Sequence, residues 1–147
     1  MRILIAILLI VNSLNIGERK AMKVLSKFYD EEVSIVLEKE LSNGVLYSIR
    51  GKEDKVYIGK APSKFESYIF IHILDKEVGI KFSKILIYRE DYGGEIGSKR
   101  WLNQLIGLKP HQRVDNISAI SGATISVNSM LRFTKEALIE IKNIRHE

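Results

Sequence analysis

Apolar positions recur along this chain in two rhythms, and the changes between them mark out its elements. Between residues 18 and 29, Ala21, Val24, Leu25 and Phe28 fall three or four apart among Glu18, Arg19, Lys20, Lys23 and Lys27, which predicts an amphipathic packing helix. From residue 33 the rhythm shortens. Residues 33–37 have the β-branched content of a strand, whereas 38–41 fit a strand or a helix equally. Ser42-Asn43-Gly44 turns the chain into a strand at 45–50, and Gly51-Lys52-Glu53-Asp54 turns it into another at 56–59. Pro62 stops simple continuation, after which residues 67–74 are apolar on both sides and read as a central strand. Asp75 to Gly79 turns again, and 80–88 follows as strand. Short turns favour antiparallel neighbours, so a meander of about four strands is expected, with helices before and after covering one face.

Helical spacing returns near the end. Ser98 is placed to cap a short helix at 99–106, ended by Gly107, in which Trp101, Leu102, Leu105 and Ile106 form an apolar side. Met130, Phe133, Ala137, Leu138 and Ile144 then recur at three- and four-residue spacing, predicting a C-terminal helix of about five turns. The fold expected is α+β: an antiparallel sheet of about four or more strands flanked by helices, with a long C-terminal helix.

Length and composition narrow this picture. A chain of 147 residues suffices for one domain with a real core and not for two. Met1-Arg2 and the apolar run 3–11 have the charge and length of an export signal and fall short of the roughly 20 residues that span a bilayer as a helix. Residues 1–17 are therefore read as a signal peptide or N-terminal anchor and 18–147 as the domain; a buried first strand is the alternative for the apolar run. There is no cysteine, which excludes disulfides, thiolate metal sites and a lipid-bearing cysteine. The net charge of +5 is modest and scattered, so no nucleic-acid surface is expected, while mild attraction to an anionic membrane surface is compatible with it. His72, His111 and His146 have no metal-binding spacing, and no nucleophile and base are recognisable. His72, alone in an apolar strand, is expected to be a hydrogen-bonded structural residue.

Candidate chemistry gathers at Ile120-Ser121-Gly122-Ala123-Thr124-Ile125-Ser126, a small-residue turn that runs into the last helix. Unpaired N–H groups and the positive end of the helix dipole would meet an anion there; an ordinary capped helix start is the alternative. A second stretch, Glu90-Asp91-Tyr92-Gly93-Gly94-Glu95, breaks the pattern at the end of the last strand. Its glycine pair suits close approach to a flat ring or a plain turn. Lys109 and Arg113 lie close in sequence to the first stretch, either to steady a phosphate or to solvate the loop.

Ser121-Gly122-Ala123-Thr124 followed by Ile125-Ser126 resembles the S-G-A-T-x-[S/T] signature of the FMN-binding domain family, which includes the FMN-carrying subunits of the Rnf and sodium-translocating NADH:quinone oxidoreductase complexes. Residues 88–96 resemble the segment that precedes the tetrad in those proteins, and the likeness spans roughly residues 45–140. The resemblance implies a small exported member carrying FMN on Thr124 through a phosphoester bond. Ser121, Gly122, Ala123, Ile125 and Ser126 would surround the attachment, with Glu90, Tyr92, Gly93, Gly94, Glu95 and Trp101 toward the ring. It further implies an extracytoplasmic electron carrier, periplasmic or on the outer face of the cytoplasmic membrane, matured by a flavin transferase and exchanging electrons with a membrane or periplasmic redox partner. Members attached by the transferase usually have an Asp six residues before the modified Thr; that position here is Ser118, with Asp115 three residues further back. Two other readings stand beside the carrier: an exported binding or adaptor domain of the same fold without flavin, and an enzyme with noncovalent FMN.

Overall fold

The computed structural model describes residues 16–91 and 93–144. The expected export signal, apart from Ile16 and Gly17, lies outside the described residues, and so does Tyr92. Helix α1 (Ile16–Tyr29) is followed by strands β1 (Ile35–Leu41), β2 (Gly44–Ile49), β3 (Lys55–Pro62), β4 (Ser67–Leu74) and β5 (Ile80–Ile87). A 3-10 turn (Gly94–Gly97), short helix α2 (Lys99–Leu102), a second 3-10 turn (Asn103–Leu105) and helix α3 (Thr124–Ile144) complete the chain. The five strands form one antiparallel sheet in the order β1-β2-β3-β4-β5. This is the α+β architecture expected. The residues left open at 38–41 are strand, paired with β2 through Glu40↔Val45 and Leu41↔Gly44.

One expectation is corrected: the helices do not share a face. Alternate residues of β2 to β4 feed two separate apolar clusters. Leu46, Tyr57, Tyr68, Phe70 and Leu74 join the α2 region and α3, including Trp101, Leu105, Met130 and Leu138. Tyr47, Ile49, Val56, Ile58, Ile71 and Ile73 join Ala21, Val24 and Leu25 of α1. A strand such as β4, apolar on both sides, must be covered on both, because each exposed aliphatic side chain would forgo about 1.5–3 kcal/mol of burial. The sheet is thus the middle of three layers.

A second correction concerns residues 99–106, which are not one helix. Ser98 does cap it, its hydroxyl accepting from the Trp101 N–H at 3.2 Å. After Leu102 the chain tightens into 3-10 geometry. Gly107 N–H then donates to Ile80 C=O at 2.7 Å and Ile80 N–H to Leu108 C=O at 3.0 Å, so the segment is drawn against the start of β5 before an eight-residue helix could complete.

His72 is fully buried between β5 and α3. Its Nδ1 lies 2.6 Å from Ser83 Oγ and its Nε2 2.8 Å from Thr134 Oγ1. The Thr134 hydroxyl donates to the Met130 sulfur, which leaves its oxygen to accept from Nε2–H and assigns the Ser83 hydroxyl as donor to Nδ1. Burial pushes the imidazole pKa down to about 3, so the ring is neutral. The structural role expected of His72 is the one observed.

Candidate functional site

Register explains why distant stretches meet. Pro62 pairs with Ser67 and Ile69 with Ile87, so the β3–β4 turn at residues 63–66 lies at the same end of the sheet as the chain leaving β5. Glu90 reaches across that end. Its carboxylate accepts from the N–H groups of Glu66 at 2.6 Å and Phe65 at 2.5 Å, and from the Ser63 hydroxyl at 3.1 Å. These bonds, the Glu66 N–H foremost, hold the Glu90 carboxyl below its usual pKa range.

The first turn of α3 arrives from the other side. Ser126 is buried, with its Oγ 2.7 Å from Ser63 Oγ and 2.9 Å from the Tyr88 hydroxyl. The Ser126 carbonyl accepts from the Tyr68 hydroxyl at 2.8 Å, and burial raises the Tyr68 pKa so that the phenol remains a donor. Three elements are therefore tied together by hydroxyls: the β3–β4 turn, the end of β5 and the start of α3.

Between them lies a cavity of about 360 Å3. Its walls are Ser63, Lys64, Glu90 and Gly93 on one side and the five residues 122–126 on the other. Gly93 has φ of 80°, in the left-handed region, and a Cβ there would come within 2.6 Å of the Tyr88 hydroxyl. Gly122, with φ of 82°, makes the turn closed by the Ala123 N–H to Ile120 C=O bond. Ala123 precedes Thr124, the first residue of α3, and its side chain has no acceptor for the N–H groups of the first turn. Thr124 is exposed.

Most of the expected residues are thus brought together: Gly122, Ala123, Thr124, Ile125, Ser126, Glu90 and Gly93 all line the cavity. Ser121 is exposed in the turn beside it. Gly94 and Glu95 are exposed in the 3-10 turn and are not among the lining residues. Trp101 departs from the expectation. It is only 3% exposed, packed in the core, and its indole N–H donates to the Ser118 carbonyl at 2.7 Å, so its ring face is not presented to the cavity. Ser118 is held at both ends, its N–H donating to Gln104 Oε1 at 3.0 Å. Asp115 is occupied by Arg113 at 2.7 Å and Lys109 by Glu77 at 2.8 Å, which leaves neither cation of the 109–113 stretch on the cavity wall.

Sequence reasoning missed Ser63 and Lys64. Both follow from hairpin geometry, since the β3–β4 turn has to lie beside the chain that leaves β5. Lys64 makes no ion pair among the described residues and is the cation on the cavity wall. Among the described residues there is no cluster fit to hold a metal, and no helix long and apolar enough to cross a membrane.

No protein family, curated protein or solved structure matches the chain.

Proposed function

We propose that this protein is an extracytoplasmic electron carrier with FMN joined to Thr124 through a phosphoester bond. The observation that supports it is the meeting, at one cavity, of two stretches about thirty residues apart in sequence, with Thr124 exposed at a helix start. The residues present fit the group. Amide donors of the first α3 turn lack a side-chain cap, and with the positive end of the helix dipole and Lys64 they suit a phosphate. The Glu90 carboxylate is turned onto the β3–β4 turn by three donors, which limits its repulsion of that anion. Gly93 lets the backbone approach closely on the wall opposite.

Attachment would join Thr124 Oγ to the FMN phosphorus: a flavin transferase would supply FMN bonded through its phosphate to a leaving group, the bond from phosphorus to that group would break as the Thr124 Oγ–P bond formed, the hydroxyl proton would leave with the displaced group, and the chain would gain FMN less one water. Bound FMN supplies transfer of one or two electrons. The chain's own residues position the phosphate and keep the carrier loaded outside the cytoplasm, where FMN is not replenished; a membrane or periplasmic partner exchanges the electrons.

Colour after denaturation tests the reading. Protein exported from cells that contain a flavin transferase is expected to stay yellow through acid precipitation. Colour released into the supernatant favours noncovalent FMN, and a colourless folded protein favours the adaptor reading.

A further inference from the structure

A groove sharing no residue with the Thr124 cavity lies where α1 and the α2 region approach each other around edge strand β5. It holds about 410 Å3. Its apolar surface comes from Val24 and Phe28 of α1, Phe82 of β5 and Leu102 of α2. The Phe28 and Phe82 rings stand 5.3 Å apart, and Phe28 remains 37% exposed.

Charge around this apolar surface is of one sign. Lys27, Lys84 and Lys99 line the groove from three different elements, no Asp or Glu lines it, and none of the three lysines makes an ion pair among the described residues. Other lysines are paired: Lys52 with Glu31, Lys55 with Glu38 and Lys81 with Asp54. Lysines on an edge strand commonly guard against strand pairing, which would account for Lys84 alone. Lys27 and Lys99 belong to helices, and that explanation does not reach them. A concave apolar surface with unpaired ammonium groups along its rim complements a ligand with an apolar body and a single anionic head.

We propose that this groove binds an amphipathic monoanion of the long-chain carboxylate class, its chain against Phe28 and Phe82 and its head among Lys27, Lys84 and Lys99. The site does not depend on the flavin reading.

The test is calorimetric titration of the full chain with dodecanoate below its micellar concentration, with a neutral dodecyl amphiphile as control. A combined Lys27→Gln, Lys84→Gln, Lys99→Gln variant, altered only at exposed side chains, keeps folding separate from binding. The expected result is saturable one-to-one binding of dodecanoate, at least tenfold tighter than the neutral control and weakened at least tenfold in the variant, with chemical-shift changes at the Val24 and Leu102 methyls. Absence of saturable binding, equal affinity for the neutral amphiphile, or unchanged affinity in the variant overturns the proposal. Binding to anionic phospholipid vesicles without binding of monomeric dodecanoate also overturns it, and assigns the lysines to a membrane surface.

Discussion

Ser63 Oγ and Ser126 Oγ lie 2.7 Å apart, joining the β3–β4 turn to the first turn of the C-terminal helix across 63 positions of sequence. Because Ser126 also meets Tyr88, its hydroxyl is the point at which three elements are fastened. Ser126→Ala leaves two half-buried partners with one bond fewer and is expected to cost about 0.5–1.5 kcal/mol, read by urea unfolding. Ser121→Ala, altered in the exposed turn, should stay within about 0.5 kcal/mol of the parent. Equal effects would contradict the fastening role.

The two adjacent glycines should behave differently. Gly93→Ala puts a Cβ on a left-handed residue and against the Tyr88 hydroxyl, for a loss of at least about 1–2 kcal/mol. A Cβ on Gly94 meets nothing within 4 Å, so Gly94→Ala should be tolerated. Thermal unfolding of the pair decides it.

His72 makes stability depend on pH. Its pKa is about 3 in the folded protein against 6.5 for the free side chain, so the unfolded chain binds the extra proton between those values. Stability from this group is complete well above pH 6.5 and is lost as pH falls through 6.5 toward 3, with a slope of up to about 1.4 kcal/mol per pH unit. Unfolding free energies of the parent should drop between about pH 7.5 and pH 5.5, while His72→Gln, which cannot titrate, should show a flatter profile. Parallel profiles would remove His72 as the cause.

Glu90 acts on the β3–β4 turn. Its carboxyl has a folded pKa below the unfolded value, so the stability it contributes is present above the unfolded carboxylate range and is lost as pH falls through the folded pKa. Glu90→Ala removes the acceptor for the Phe65 and Glu66 N–H groups, and hydrogen exchange at those two amides should accelerate far more than at Tyr57 or Phe70 in the neighbouring strands. Uniform acceleration throughout would mean global destabilisation instead.

Much of this architecture could be read from residue pattern. Strand β4 occupies the 67–74 expected, because its apolar run is bounded by Pro62 before and the turn at Asp75 to Gly79 after. The start of α3 follows from the small-residue turn. Less legible were features set by tertiary contact. Residues 38–41 have no periodicity that separates strand from helix, and pairing with β2 decides them. The short helix after Ser98 ends early because Ile80 captures Gly107 and Leu108. In the candidate site, the residues near Thr124 and Gly93 were visible as small-residue turns, whereas Ser63 and Lys64 sit in a loop of ordinary composition that hairpin register brings to the cavity. Trp101 was left between core and pocket wall because a single tryptophan fits either by sequence, and burial chose the core.

The most direct test of the central claim is the intact mass of the exported protein made with a flavin transferase, beside a Thr124→Ala variant. A gain of one FMN less water, present in the parent and absent in the variant, is the result predicted. A folded, exported parent whose mass shows no gain would contradict attachment at Thr124, as would a variant that gains the same mass.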